Sequence, residues 1–71
     1  MTLRHFKIFI AVCDNMNMTY AAEKLYMSQS AVSQAIAEME KHYGVKLFER
    51  LSRKLYLTDA GQKLLSYARS I

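Results

Sequence analysis

The chain has 71 residues, enough for one compact domain that hides only about 60% of its unfolded surface, so a deep substrate cleft is not expected. Hydrophobic residues make up 52% of it, yet no run approaches the roughly 18 apolar residues of a membrane span, and the opening residues lack the apolar core of a secretory signal, so the cytoplasm is the expected compartment. A net charge of +4 favours an anionic partner, and a single cysteine, Cys13, rules out an internal disulfide.

Thr2 is placed to cap a first helix in which Leu3, Phe6, Phe9, Ile10 and Cys13 recur at three- and four-residue steps, giving one apolar stripe that ends near Asp14 to Met16. Cys13 reads as buried filler within that helix. After the polar Asn15-Met16-Asn17 stretch, Thr19 or a neighbour starts a short second helix with Ala22 and Leu25 facing inward. Tyr26-Met27-Ser28 breaks the period, and Ser28 supplies the N-cap of a third helix running to about Tyr43. Gly44 stands where a left-handed C-cap is needed.

From there the period changes. Leu47-Phe48-Glu49-Arg50 and Lys54-Leu55-Tyr56-Leu57 read as two short strands joined by a polar, basic turn. Thr58 with Asp59 then caps a last helix bearing Ala60, Leu64, Leu65 and Ala68 on one face. The sequence has no proline and no linker-like tract, so the fold expected is mainly α with a small β-hairpin: a three-helix core, a wing, and the start of a further helix.

The third helix carries the most telling surface. At about 100° per residue, Val32, Ile36, Met39 and Tyr43 share the face expected to be buried. Ser30, Gln34, Ala37 and Lys41 lie opposite, with Ser33 on the flank. A merely solvated helix face favours long charged side chains, whereas this stripe is small and polar. Such a stripe lets a helix backbone approach the major groove of DNA, where serine and glutamine hydrogen-bond to base edges and phosphates. The Ala21-Ala22 pair permits the close, steep crossing of a helix-turn-helix. The segment Lys41 to Lys54 holds five basic residues and one acid, as much net charge as the whole chain, and Arg53 and Lys54 fall at the hairpin tip.

Other constellations point elsewhere. His5 and His42 have no partners at metal-site spacing. The tyrosines Tyr20, Tyr26, Tyr43, Tyr56 and Tyr67 read as packing residues with surface hydroxyls, and Met16, Met18, Met27 and Met39 as core filling. Glu38 and Glu40, two apart, do not form a carboxylate pair and read as a solvated face. No nucleophile, base and orienting group can be assembled, so no enzymatic activity is expected. A winged module that exposes its third helix to a protein partner would need an apolar outward stripe, which Ser30, Gln34 and Lys41 do not supply.

The run Tyr20-Ala21-Ala22-Glu23-Lys24-Leu25-Tyr26-Met27-Ser28-Gln29-Ser30-Ala31-Val32-Ser33 resembles the helix-turn-helix signature of the LysR-type transcription regulators of bacteria. Gly44-Val45-Lys46-Leu47-Phe48-Glu49-Arg50 and Leu57-Thr58-Asp59-Ala60-Gly61 resemble the two blocks that follow it there. The resemblance implies a winged helix-turn-helix over residues 1–58 and the start of a dimerising linker helix over 59–71. It implies sequence-specific binding of double-stranded DNA through Gln29, Ser30, Ser33 and Gln34, aided by Arg50, Arg53 and Lys54, and the outward place of Lys41 on the helix wheel adds it to this candidate set. For the full protein it implies a homo-oligomer and a small-molecule effector bound by a further domain, with a monomer or weak dimer expected of these residues alone and no cofactor within them. Three features depart from the family pattern: Gln34 stands where arginine is frequent, Ala35 where glutamine is common, and the Ser52-Arg53-Lys54 turn has no glycine.

Overall fold

The computed structural model describes all 71 residues as α1 (Leu3–Asn15), α2 (Met18–Leu25), α3 (Gln29–Tyr43), β1 (Phe48–Leu51), β2 (Lys54–Leu57) and α4 (Asp59–Arg69). Each helix begins where a short polar side chain takes an N–H of the first turn that the helix itself cannot pair. Thr2 accepts from His5, Asn17 from Tyr20, Ser28 from Ala31 and Thr58 from Gly61. The cap of α2 is therefore Asn17 and its first residue Met18, a neighbour of Thr19 as the sequence suggested. The first three helices end on left-handed residues, Met16, Tyr26 and Gly44. At Tyr26 the N–H of Met27 returns to the Ala22 carbonyl at 2.9 Å, which closes α2 in a Schellman-type cap and leaves only Tyr26, Met27 and Ser28 to turn the chain into α3.

The core is assembled from α1, α2 and α3 and closed by the root of the hairpin. Phe9, Val12, Ala21, Val32, Met39 and Leu47 are almost fully buried. Ala21 and Ala22 are buried in this core, where α2 packs on both α1 and α3, and their side chains add no bulk beyond a methyl group, as close helix crossing requires. Phe9 meets Phe48 with ring centroids 5.5 Å apart, an apolar tie between α1 and β1.

Several expectations are corrected. In α1 the buried residues are Ile8, Phe9 and Val12, while Leu3 is exposed and Ile10 and Cys13 are only half-buried. Residues 8 to 13 are all apolar, so a period alone does not choose the face. In α3, Ala35 is buried beside Val32, Ile36 and Met39, but Tyr43 is exposed. All five tyrosines are exposed, Tyr26 by 97%, so they do not act as core packing, although Tyr67 makes an edge contact with Phe6. Met16 is exposed too, while Met39 is buried as expected. The first strand starts at Phe48, not Leu47.

β1 and β2 pair antiparallel from Phe48↔Leu57 to Leu51↔Lys54. The two residues between them, Ser52 and Arg53, have φ of 51° and 66°. This is the type I′ pattern that matches strand twist, built here without the glycine or asparagine that usually occupies it. α4 packs back on α1 and β2, burying Ala68 and half-burying Leu64 and Leu65. Gly61 in its first turn sits so close that a Cβ there would lie 2.4 Å from the Leu47 carbonyl oxygen.

Candidate nucleic-acid interface

Ser28 fixes where α3 starts, and the burial of Val32, Ala35, Ile36 and Met39 fixes its rotation, so Gln29, Ser30 and Gln34 face outward. Ser33 is half-buried on the flank. Gln29 Nε2 donates to Ser33 Oγ at 2.9 Å across one helical turn, which leaves the Gln29 Oε1 acceptor and the Ser33 hydroxyl proton free to meet an outside group. The Gln34 amide has no partner in the protein. Ser30 Oγ lies 3.3 Å from Ser28 Oγ, at the capping end of the helix.

Four of the eight residues singled out in the sequence meet in one place. Gln29, Arg50, Arg53 and Lys54 line an open cleft of about 490 Å³, together with Asn17 and Thr19 at the start of α2. No acid lines this cleft, and the N-terminus of α2 adds its own positive potential. Ser33 lies in the adjoining groove between α3 and the hairpin, which shares Arg50. Gln34 occupies the other flank of α3, in a hollow with Arg4, His5 and Glu38. Lys41 stands apart at the C-terminal end of the helix, near Lys46 and Gly44.

The electrostatics are one-sided. The carboxylate contacts of the chain's basic side chains are a hydrogen-bonding contact of His5 Nε2 with Glu38 Oε1 at 3.1 Å and an ion pair of Arg69 with Asp14 at 2.8 Å. Lys41, Lys46, Arg50, Arg53 and Lys54 all remain without a carboxylate partner, so the charge surplus of this segment is directed at solvent. His5 also shares a hydrogen bond with Thr2 Oγ1 at 2.8 Å, which gives it a place in tying the start of α1 to α3.

Sequence reasoning missed three contributors. Arg4 and Thr19 come beside the outward residues of α3, Arg4 next to Gln34 and Thr19 next to Gln29, only through the crossing of α1 and α2 with α3, which no local spacing announces. Glu40 was read as part of a solvated face; it is half-buried, and its Oε2 accepts the N–H groups of Leu47 at 2.8 Å and Phe48 at 3.3 Å. Burial, and then the Asp14 carboxylate, push the Cys13 thiol up to about 12 against a smaller opposing effect of Arg69, which favours the neutral thiol over the nucleophilic thiolate.

Residues 3–62 match the family described as "Bacterial regulatory helix-turn-helix protein, lysR family". The chain is 41% identical over 70 residues to the HTH-type transcriptional activator CmpR of Synechocystis, covering 99% of this chain and 23% of that protein. It is 45% identical over 71 residues to the Hca operon transcriptional activator HcaR of Escherichia coli, covering 100% and 24%. The chain thus spans about a quarter of the length of these relatives. Among solved structures, a LysR-family transcriptional regulator from Eggerthella lenta superposes with a TM-score of 0.89 at 49% identity, each chain being covered in full. The CbnR DBD–DNA complex gives 0.93 at 40% identity, covering 99% of this chain and 80% of that one.

Proposed function

The chain belongs to the lysR family of bacterial regulatory helix-turn-helix proteins, and from that membership we propose that it binds duplex DNA sequence-specifically, as the reading head of a transcription regulator. In this reading α3 enters the major groove, with Gln29, Ser30, Ser33 and Gln34 toward base edges. Arg53 and Lys54 on the wing reach the adjacent backbone or minor groove, Arg50 meets phosphates from the strand, and Lys41 approaches the backbone at the far end of the helix. The observation that carries it is the acid-free cleft in which three unpaired cations flank the start of the recognition helix. Cations left without protein partners around a small, polar helix face are what a polyanion with readable edges requires.

The roles divide by chemistry. The unpartnered Gln34 amide can give a donor and an acceptor together, the pattern that pairs with adenine. The Gln29–Ser33 pair presents an acceptor and a hydroxyl held one turn apart. Arginine and lysine on the wing contribute mainly affinity. Two copies on a pseudo-palindrome would place their recognition helices about 34 Å apart, one turn of B-DNA. For the longer protein we assign α4 to a linker through which copies pair, and we place a small-molecule effector on a domain outside these residues.

Selection of bound sites from a random duplex pool, followed by titration of Gln34→Ala on the selected site and on variants of it, tests this reading. The expected result is a defined consensus, with the variant losing about 1–3 kcal/mol of discrimination at one base pair. Equal weakening on every sequence would remove Gln34 from direct readout, and failure to enrich any sequence would refute specific recognition.

A further inference from the structure

The wing has only two strands, and its cations lie toward the tip, so its angle to α3 decides which phosphates they reach. Between α3 and residues 46–57 the hydrogen bonds all pass through one atom, Glu40 Oε2, which takes the Leu47 and Phe48 N–H groups. Phe48 has no alternative partner across the sheet. The Thr58 N–H donates to the Leu47 carbonyl at 3.0 Å, which makes the next pair, Phe48↔Leu57, a non-hydrogen-bonded one. The peptides at the wing root are therefore held from two sides, by α3 through their N–H groups and by Thr58, whose hydroxyl also donates to the Lys46 carbonyl at 2.6 Å.

Resting on the DNA-binding reading, we propose that Glu40 is a positioning residue of the interface: an acid that sets the angle between recognition helix and wing without itself touching DNA. The lever is long. About five residues separate Phe48 from the hairpin tip, roughly 16 Å of strand, so a pivot of about 10° at the root moves Arg53 by about 3 Å, the length of a hydrogen bond. Neither arginine nor lysine engages Glu40 in an ion pair, so its carboxylate serves the backbone and not the neutralisation of a neighbouring cation. An acid beside a DNA surface is otherwise unfavourable, and the two N–H groups supply the reason for this one.

The test compares the salt dependence of duplex affinity for the parent chain, Glu40→Gln and Glu40→Ala, with thermal melting in parallel. Glutamine keeps an acceptor oxygen and removes the charge, so its log–log salt slope should match the parent's. Alanine removes the acceptor, so the slope should become shallower by about 0.9 for each wing phosphate lost, and Arg53→Ala should then cost far less affinity than it does in the parent. A residue that only stabilised the fold would lower the melting temperature and leave both the slope and the Arg53 effect intact; that outcome overturns the proposal. If Glu40→Ala does not fold, Glu40→Asp replaces it, since it keeps the charge but withdraws the carboxylate by about one C–C bond, and an unchanged slope there overturns the proposal equally. A parent chain whose binding ignores salt would refute the DNA-binding reading itself, and the role of Glu40 with it.

Discussion

Gly61→Ala sets two opposing effects against each other at one position. Gly61 lies in the first turns of α4 and is buried, where helix propensity alone favours alanine by about 1 kcal/mol. Against this, the added Cβ would lie 2.4 Å from the Leu47 carbonyl oxygen and 2.5 Å from Leu57 Cδ1. The Leu57 side chain can rotate away, but the Leu47 oxygen is backbone and already accepts the Thr58 N–H at 3.0 Å. Reaching ordinary contact near 3.4 Å moves the start of α4 about 1 Å away from the wing root. Overpacking of this kind costs about 1–3 kcal/mol, and weakening the Thr58 bonds adds about 1 kcal/mol. The net expectation is a loss of about 2 kcal/mol, which for a chain of this size lowers the melting temperature by roughly 8–16 °C. Thermal unfolding followed by circular dichroism measures it. A variant more stable than the parent would mean that the close approach of α4 to Leu47 is wrong.

At Gly44 the reason for glycine is conformational, since φ is +70° and nothing lies within 4 Å of a Cβ; Gly44→Ala should cost about 1 kcal/mol and Gly44→Asn less, as melts of the two will show. At the wing tip the opposite gain is available: Ser52→Asn with Arg53→Gly suits two positive φ angles and should stabilise the fold by about 1 kcal/mol while making the DNA salt slope shallower by about 0.9. No gain in melting temperature would argue against the left-handed turn. Cys13 favours its neutral thiol in the folded state, so its contribution to stability is complete below the ordinary thiol range near pH 9 and is lost as pH rises from there toward 12. Melts at pH 8 and pH 10.5 should therefore diverge more for the parent than for Cys13→Ala, and equal divergence would contradict the burial of the thiol.

The helix boundaries were legible because caps are local chemistry. Thr2, Ser28, Gly44 and Thr58 each satisfy or terminate a helix within three or four residues of themselves, so their signal survives without tertiary information. The inward face of α3 was legible because polar residues alternate with Val32, Ile36 and Met39 at the helical period. In α1 the same reasoning failed, since six consecutive apolar residues give no phase and only packing against α2 and α3 selects Ile8, Phe9 and Val12. The tyrosines misled because a ring at helical spacing looks like packing whichever way the helix is turned. Glu40 was out of reach for a different reason. Its partners are seven and eight residues away across a turn, and a lone carboxylate on a helix carries no mark of the amides that it will meet. The wing turn was undetermined because its left-handed residues are serine and arginine, neither of which advertises positive φ. The cationic cleft was half legible: the charge run was visible, but its convergence with Gln29 and the start of α2 is a product of the fold.

The central claim is that the small polar face of α3 and the unpaired cations around it bind duplex DNA, and the most direct measurement is the affinity of this chain for a selected duplex across a range of salt concentrations. With about five or six phosphates neutralised per copy, affinity should fall with a log–log slope of about −5, and at each salt concentration the selected duplex should bind more tightly than a scrambled one. A flat titration, or equal affinity for the two duplexes at every salt concentration, would contradict it.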